Sequence, residues 1–243
     1  MPSPRYHPLV AIDVRRAGDR FHTQLDWLDS WHSFSFGHHR DPANTHHGLL
    51  LVSNDDVVRA GRGFGTHPHR DMEIVTWVLR GELEHRDSTG TVGIIYPGLA
   101  QRMSAGSGIT HSEMNASDTA DVHLVQMWVL PDTEGIDPGY EQRDVNELLD
   151  GGGLVPVASG QGHEGAIALH QRDAVLHAGR LDPDTTVNLP DAPHVHVYVA
   201  VGHASLDGAH ELRTGDAARL SDAGTPPLRA GENGAEVLVW ATA

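Results

Sequence analysis

Short apolar runs bounded by Gly, Pro and Asp recur along the chain, at 48–52, 72–79, 91–96, 122–130, 194–201 and 236–240. Runs of this length, set between turn-forming residues, are the pattern of an all-β sandwich or barrel. Helical periodicity is scarce, and the one helix it predicts is a short one at 144–149. The stretch PDTEGIDPG at 131–139, with that helix, reads as a linker, and a second turn-rich run at 149–165 follows it. The pattern thus predicts two β units in tandem: residues 1–131, a linker at 132–150, and residues 151–243. In the strand at 194–201, Val195, Val197, Val199 and Val201 share one face and His194, His196 and Tyr198 the other, because side chains alternate along a strand.

Composition narrows the chemistry. A chain of 243 residues is long enough to bury a substantial core. Its 17 basic residues are all Arg, it has no Cys, and it carries 19 His and 33 acidic residues, of which 22 are Asp. Without Cys there are no disulfides, thiolate nucleophiles, iron–sulfur clusters or Cys-type zinc sites. Without Lys there is no P-loop and no Schiff-base chemistry. His and carboxylate remain, a ligand set for a borderline or hard transition metal. The net charge of −16 argues against direct nucleic-acid or anionic-membrane binding. No apolar run is long enough to span a bilayer, and the opening MPSPRYHPLV lacks a leader's apolar stretch, so a cytoplasmic protein is expected.

The candidate chemistry lies in two segments of the first unit. His67 and His69 are two apart, as are His111 and Glu113, so on extended backbone each pair points to one face. If the two segments lie across a barrel, three imidazoles and one carboxylate meet at a common point. Such a set suits Fe(II), Mn, Ni, Cu or Zn and leaves open positions on an octahedral ion. Gly61, Gly63, Gly65, Gly106 and Gly108 permit tight turns around these segments. A phosphate cradle is the rival reading of such glycines, but no GK[ST] follows and no βαβ pattern surrounds them.

The strings LDWLDSWHSFSFG from Leu25, GFGTHPHRDMEIVTWVLRGELEHRDS from Gly63 and MSAGSGITHSEMN from Met103 resemble the pirin family of bicupins. Within it they resemble the bacterial branch associated with quercetin dioxygenase activity. The likeness runs nearly continuously from about Asp26 to Arg143 and weakens toward the C-terminus. It implies two cupin barrels, the first metal-binding and the second degenerate. Carried over by position, it implies His67, His69, His111 and Glu113 as ligands of one divalent transition metal. Fe(II) stands first, with Cu, Zn, Mn, Ni and Co as alternatives. In many other cupins the carboxylate ligand is the one after the HxH pair, here Glu73. The pirin pattern instead selects Glu113 and leaves Glu73 as a strand residue.

The implied reaction is flavonol cleavage with dioxygen. The central ring opens, two oxygen atoms are added and carbon monoxide leaves, with Glu113 accepting the proton of the substrate's 3-hydroxyl. A second reading is a metal-dependent regulator that binds a transcription factor or metabolic enzyme, for which flavonol cleavage is incidental. A deep pocket at the metal favours the enzyme, and a shallow metal beside a broad exposed apolar patch favours the regulator. A third reading leaves the metal only a structural role. A monomer is expected, since the two units can pair with each other.

Other residues invite the same chemistry more weakly. His38–His39 and His46–His47 flank a DPAN turn and read as solvated loop, with approach to the barrel mouth as the alternative. His194 and His196 form another HxH pair, but RTGDAARLSDAG, where a partner motif would fall, supplies no second half-site. Trp77, Met127 and Trp128 read as core. The cluster of Trp27, Trp31, Phe34 and Phe36 reads as core too, with a pocket wall for a flat aromatic substrate as its alternative.

Overall fold

The computed structural model describes residues 11–243, so the MPSPRYHPLV segment examined for a leader lies outside the described residues. The chain opens with β1 (Ala11–Arg15), β2 (Phe21–Gln24), β3 (Leu28–His32), β4 (Leu50–Val58), β5 (Gly63–His69) and β6 (Glu73–Arg80). There follow β7 (Leu83–Asp87), β8 (Val92–Ile95), β9 (Leu99–Ser104), β10 (Ile109–Asn115), β11 (Val122–Val129) and β12 (Gly139–Asp144). The short helix α1 (Asn146–Asp150) leads to β13 (Val155–Ser159), β14 (Ile167–Ala168), β15 (Ala174–Leu181) and β16 (Thr186–Asn188). The last strands are β17 (His194–Leu206), β18 (His210–Arg213), β19 (Ala217–Ser221) and β20 (Pro227–Thr242).

Three sheets result. A seven-stranded sheet, in the order β12-β9-β6-β11-β4-β3-β2, and a four-stranded sheet, β5-β10-β7-β8, make the first cupin unit. Leu28, Val58, Val78, Leu83, Ile95 and Leu124 pack between them. The second unit is a nine-stranded sheet running β1-β19-β17-β20-β15-β13-β14, with β18 on β17 and β16 on β20. Its long strands bend at bulges, at Val199/Val201 and Gly202/Ala204 of β17. The bulges shift the inward parity from Val195, Val197 and Val199 to Ala204 and Leu206, all in the same core. For the same reason Val201, expected on the apolar face, is 48% exposed.

Hydrogen bonding crosses the division read from the sequence. β1 pairs with β19 and so belongs to the second unit's sheet, while β12, from the expected linker, pairs with β9 at the edge of the first. The polar run Gly139–Asp144 gives little strand signal because an edge strand buries little of itself, and its last three residues are exposed. The helix lies two residues beyond the predicted start.

The largest core lies between the units. Val75 and Trp77 of β6 with Val125, Met127 and Val129 of β11 meet Ala174, Leu176 and Ala178 of β15, Tyr198 and Ala200 of β17, and Leu238 and Trp240 of β20. Leu149 of α1 joins them. Polar ties frame this core: the Trp77 indole N–H donates to Glu236 at 2.8 Å, the His170 backbone N–H donates to Glu73 at 3.0 Å, and the Tyr198 hydroxyl donates to Asp55. Burial raises the Asp55 carboxyl, but His123, Tyr198 and Arg20 outweigh it and hold the group below the usual carboxylate range.

His196 of β17 and His47 are held neutral at this interface. For both, burial is the larger cause and the charge of Arg219 adds to it; His47 is pushed down to about 4, and His196 falls well below its ordinary value. Each accepts a proton more readily unfolded, near pH 6.5, than folded. Their contribution is therefore complete above about pH 6.5 and is lost as pH falls toward 4. The melting temperature should drop over that window. At pH 5, calorimetry in buffers of different ionisation enthalpy should show His196→Leu unfolding with about one proton less uptake than the parent. Equal uptake in both would show that His196 is not held neutral.

Candidate metal centre

β5 and β10 run antiparallel with His67 directly opposite His111, and a bulge between His111 and Glu113 sets Glu113 across from Phe64. Gly63 makes this pairing physically allowed, because a Cβ there would stand 2.2 Å from the Glu113 carbonyl oxygen. Gly106, at φ +47°, turns the chain into β10 with the space of its absent side chain taken by the Ile136 carbonyl. On the other side of β10, His111 pairs with Asp87 and Glu113 with His85 of β7. Side chains from three adjacent strands thus face one interior.

His67, His69 and His111 converge, with ligand atoms all within 4.8 Å of one another. Ring centroids are 4.4 Å apart for His67–His111 and 4.9 Å for His69–His111. Burial, reinforced by the neighbouring imidazoles, pushes His69 down to about 4 and His111 to about 3, so both rings are neutral with lone pairs free at pH 7. Glu113 falls outside this trio and groups instead with His85 and His111, whose ligand atoms also lie within 4.8 Å of one another. Both of its oxygens accept from the Gln126 amide, at 2.8 and 3.0 Å, and Gln126 in turn accepts from the Trp128 indole at 3.1 Å. Burial raises the Glu113 carboxyl above its usual range.

The donor set fits a metal ion on its own chemistry. The His67 Nδ1 lies 2.7 Å from the Gly65 carbonyl, which accepts its proton and leaves Nε2 for an ion. The His111 Nε2 is buried without a hydrogen-bond partner, a costly state unless an ion takes the lone pair. Its Nδ1 lies 3.4 Å from the Nδ1 of His85, whose Nε2 lies 3.0 Å from Asp87. A proton on each of His111 Nδ1 and His85 Nε2 satisfies both contacts. This pattern of an imidazole backed by a further acceptor is how metal-ligating histidines are fixed.

A cavity of about 460 Å³ opens onto this group, within the range of small-molecule sites. Trp27, Leu28, Phe36, Phe64 and Trp128 form its apolar walls, and His67, His69 and Glu113 lie on its lining. Ser30, His32, Asn54 and Asp56 add a polar face. Burial pushes the Asp56 carboxyl up to about 7, with the neighbouring charges of Asp55 and Glu113 adding.

The other sequence candidates fall elsewhere. Glu73 is 1% exposed on the opposite face of its sheet and bonds His170 of the second unit. His196 is buried against Phe34, and among the described residues neither it nor His194 joins a group of potential ligands. Of the loop histidines, His38 lines the cavity, His39 lies 3.0 Å from the Thr23 hydroxyl, and His47 lies 3.0 Å from the Leu220 carbonyl. The aromatic cluster divides: Trp27 and Phe36 are pocket wall, Phe34 packs under the Arg219 guanidinium at 4.3 Å, and Trp31 stacks on His22. His85, Asp87 and Gln126 escaped the sequence reading. The i, i+2 spacing of His85 and Asp87 was a signal, but nothing in the sequence sets β7 beside β10.

Two tandem cupin units, the first holding an imidazole trio that could bind a metal ion beside an aromatic-walled pocket, define a bicupin. The pirin family model matches residues 14–129, and that of the quercetinase C-terminal cupin domain matches residues 156–240. The chain belongs to the pirin family. It is 57% identical over 232 residues to a Mycobacterium tuberculosis protein provisionally named quercetin 2,3-dioxygenase, covering 95% of each chain. It is 39% identical over 231 residues to the quercetin 2,3-dioxygenase of Escherichia coli, covering 94% of this chain and 97% of that one. The crystal structure of the bacterial pirin YhhW from Escherichia coli, in complex with nickel(II), superposes with a TM-score of 0.88 at 38% identity, covering 96% and 99% of the two chains.

The backing of His111 has a measurable consequence. His85→Phe and Asp87→Asn should each weaken metal binding by roughly 10–100-fold. A chelator-competition titration reads this directly. Parental affinity in both variants would show that the His85–Asp87 pair does not orient His111.

Proposed function

We propose that this chain is a metal-dependent dioxygenase that opens the central ring of flavonols such as quercetin, adding two oxygen atoms and releasing carbon monoxide. The observation that carries the reading is the 460 Å³ aromatic-walled cavity ending on His67, His69 and Glu113. Names borne by relatives support the substrate class, and the nickel(II) complex of the Escherichia coli pirin supports a divalent ion. His67, His69, His111 and Glu113 would hold that ion, with Fe(II) first among the first-row candidates. When bound, it supplies a positive charge that favours an ionised hydroxyl, together with redox capacity for dioxygen chemistry.

The chain's own residues do the rest. Trp27, Phe64 and Trp128 offer flat or edge-on aromatic contact to the substrate rings and displace water from around them. Glu113 accepts the proton of the 3-hydroxyl at one carboxylate oxygen, and the Gln126 amide keeps that carboxylate aimed at the cavity. Trp128 couples wall and base, since its indole N–H holds Gln126 while its ring stands edge-on to His69 at 5.0 Å. A cavity of about 460 Å³ with aromatic walls at the imidazole trio favours the enzyme over the regulator.

Two variants test the reading. Metal-reconstituted protein should bleach quercetin absorbance under oxygen and release carbon monoxide, with a panel of ions ranking Fe(II) against Ni, Cu, Co, Mn and Zn. His111→Ala should lose both bound metal and turnover. Glu113→Gln should lower kcat by about 10²–10⁴-fold. Turnover by metal-free protein, or no bleaching with any ion, would overturn the assignment.

A further inference from the structure

The cavity has an unusual wall. β3 and β4 pair with Leu28 opposite Val58, Ser30 opposite Asp56 and His32 opposite Asn54, all on the face turned into the first unit. The first pair is apolar and belongs to the core between the sheets. The next two pairs place four polar side chains where apolar ones would fill the interior, each no more than 4% exposed. Burying such groups is unfavourable unless each finds a partner.

Within the wall most needs are met. His32 lies 2.9 Å from Asn54 Oδ1 through Nδ1 and 2.9 Å from the Thr23 hydroxyl through Nε2. Ser30 donates to Asp56 Oδ1. Two groups are left over, the second carboxyl oxygen of Asp56 and the amide N–H groups of Asn54, which have no protein partner among the described residues. With Asp56 ionised, one acceptor and one donor therefore remain on adjacent registers of a strand, at residues that both line the cavity. A hydroxyl group gives and takes a hydrogen bond at once, and so complements this pair where an ether or a carbonyl oxygen cannot.

We propose that Asp56 and Asn54 form a hydroxyl-reading subsite in the metal pocket, selecting planar aromatics that carry ring hydroxyls beyond the one directed at the imidazole trio. The subsite rests on the flavonol reading and sharpens it from flavonols in general to polyhydroxylated ones. The hydroxyl donates to Asp56 Oδ2 and accepts from Asn54 Nδ2, while the aromatic walls hold the ring faces. A site built to bond a substrate hydroxyl discriminates strongly against the analogue lacking it, because its own buried groups then go unpaired.

The test is binding rather than turnover. Quenching of tryptophan emission by quercetin, galangin and 3-hydroxyflavone is measured anaerobically on the metal-loaded full chain, at about pH 8.5 so that Asp56 is ionised. The three probes share the 3-hydroxyl and differ in the remaining ones. Wild-type protein should bind quercetin at least about tenfold more tightly than 3-hydroxyflavone. Asn54→Val and Asp56→Val should reduce that preference to within about twofold and leave the 3-hydroxyflavone affinity nearly unmoved. Asp56→Asn, which preserves shape and a partner for Ser30, should fall between; it and Asn54→Val carry the test if Asp56→Val does not fold. An unchanged preference, or equal weakening for all three probes, overturns the subsite and leaves the flavonol reading standing. Failure of wild-type protein to bind any of the three overturns both.

Discussion

The central strands of the first unit's seven-stranded sheet are buried on both faces, and the rest of the molecule follows from that constraint. Alternation along β6 and β11 sends Val75, Trp77, Val125 and Met127 toward the second unit while Thr76, Gln126 and Trp128 turn into the first. A slip of one residue in β11 would put Gln126 into the inter-unit core and Met127 beside Glu113, so the apolar interface and the polar site fix each other's register. Packing against the second unit is thus part of how the site is built, although that unit contributes no residue to it.

The same sheet explains the site's organisation. Gln126 holds Glu113, Trp128 holds Gln126, and both are anchored on a strand whose other face is locked in the largest core. The opposing four-stranded sheet carries the imidazoles, with His111 backed by His85 and Asp87. Gln126 and Trp128 therefore face the candidate donors from the other sheet, while His85 and Asp87 support His111 from within the donors' own sheet. Rigid strands on both sides keep the donor atoms grouped, a preorganisation that metal and substrate binding both require.

Much of this was legible from the residues, and the exceptions have a common cause. The strands at 72–79 and 122–130 were readable because their burial on both faces yields continuous apolar runs. β12 was not, because an edge strand has little to bury. His67, His69, His111 and Glu113 stood out through i, i+2 spacing within single strands, a local signal. His85, Gln126, Asn54 and Asp56 did not, since each matters only through a neighbour on another strand.

The second HxH pair makes the same point in reverse. His194 and His196 have the spacing of ligands, yet β17 turns His196 into the inter-unit core against Phe34, where it is held neutral by burial. The division into two β units, the limits on chemistry set by absent Cys and Lys, and the four candidate ligands were determined by sequence, because each depends on residue type or on spacing along one strand. Which strands lie side by side, and hence which side chains support His111, aim Glu113 and line the pocket with unpaired polar groups, was decided only by the tertiary structure. Cross-strand register depends on long-range packing, and no spacing along the chain encodes it.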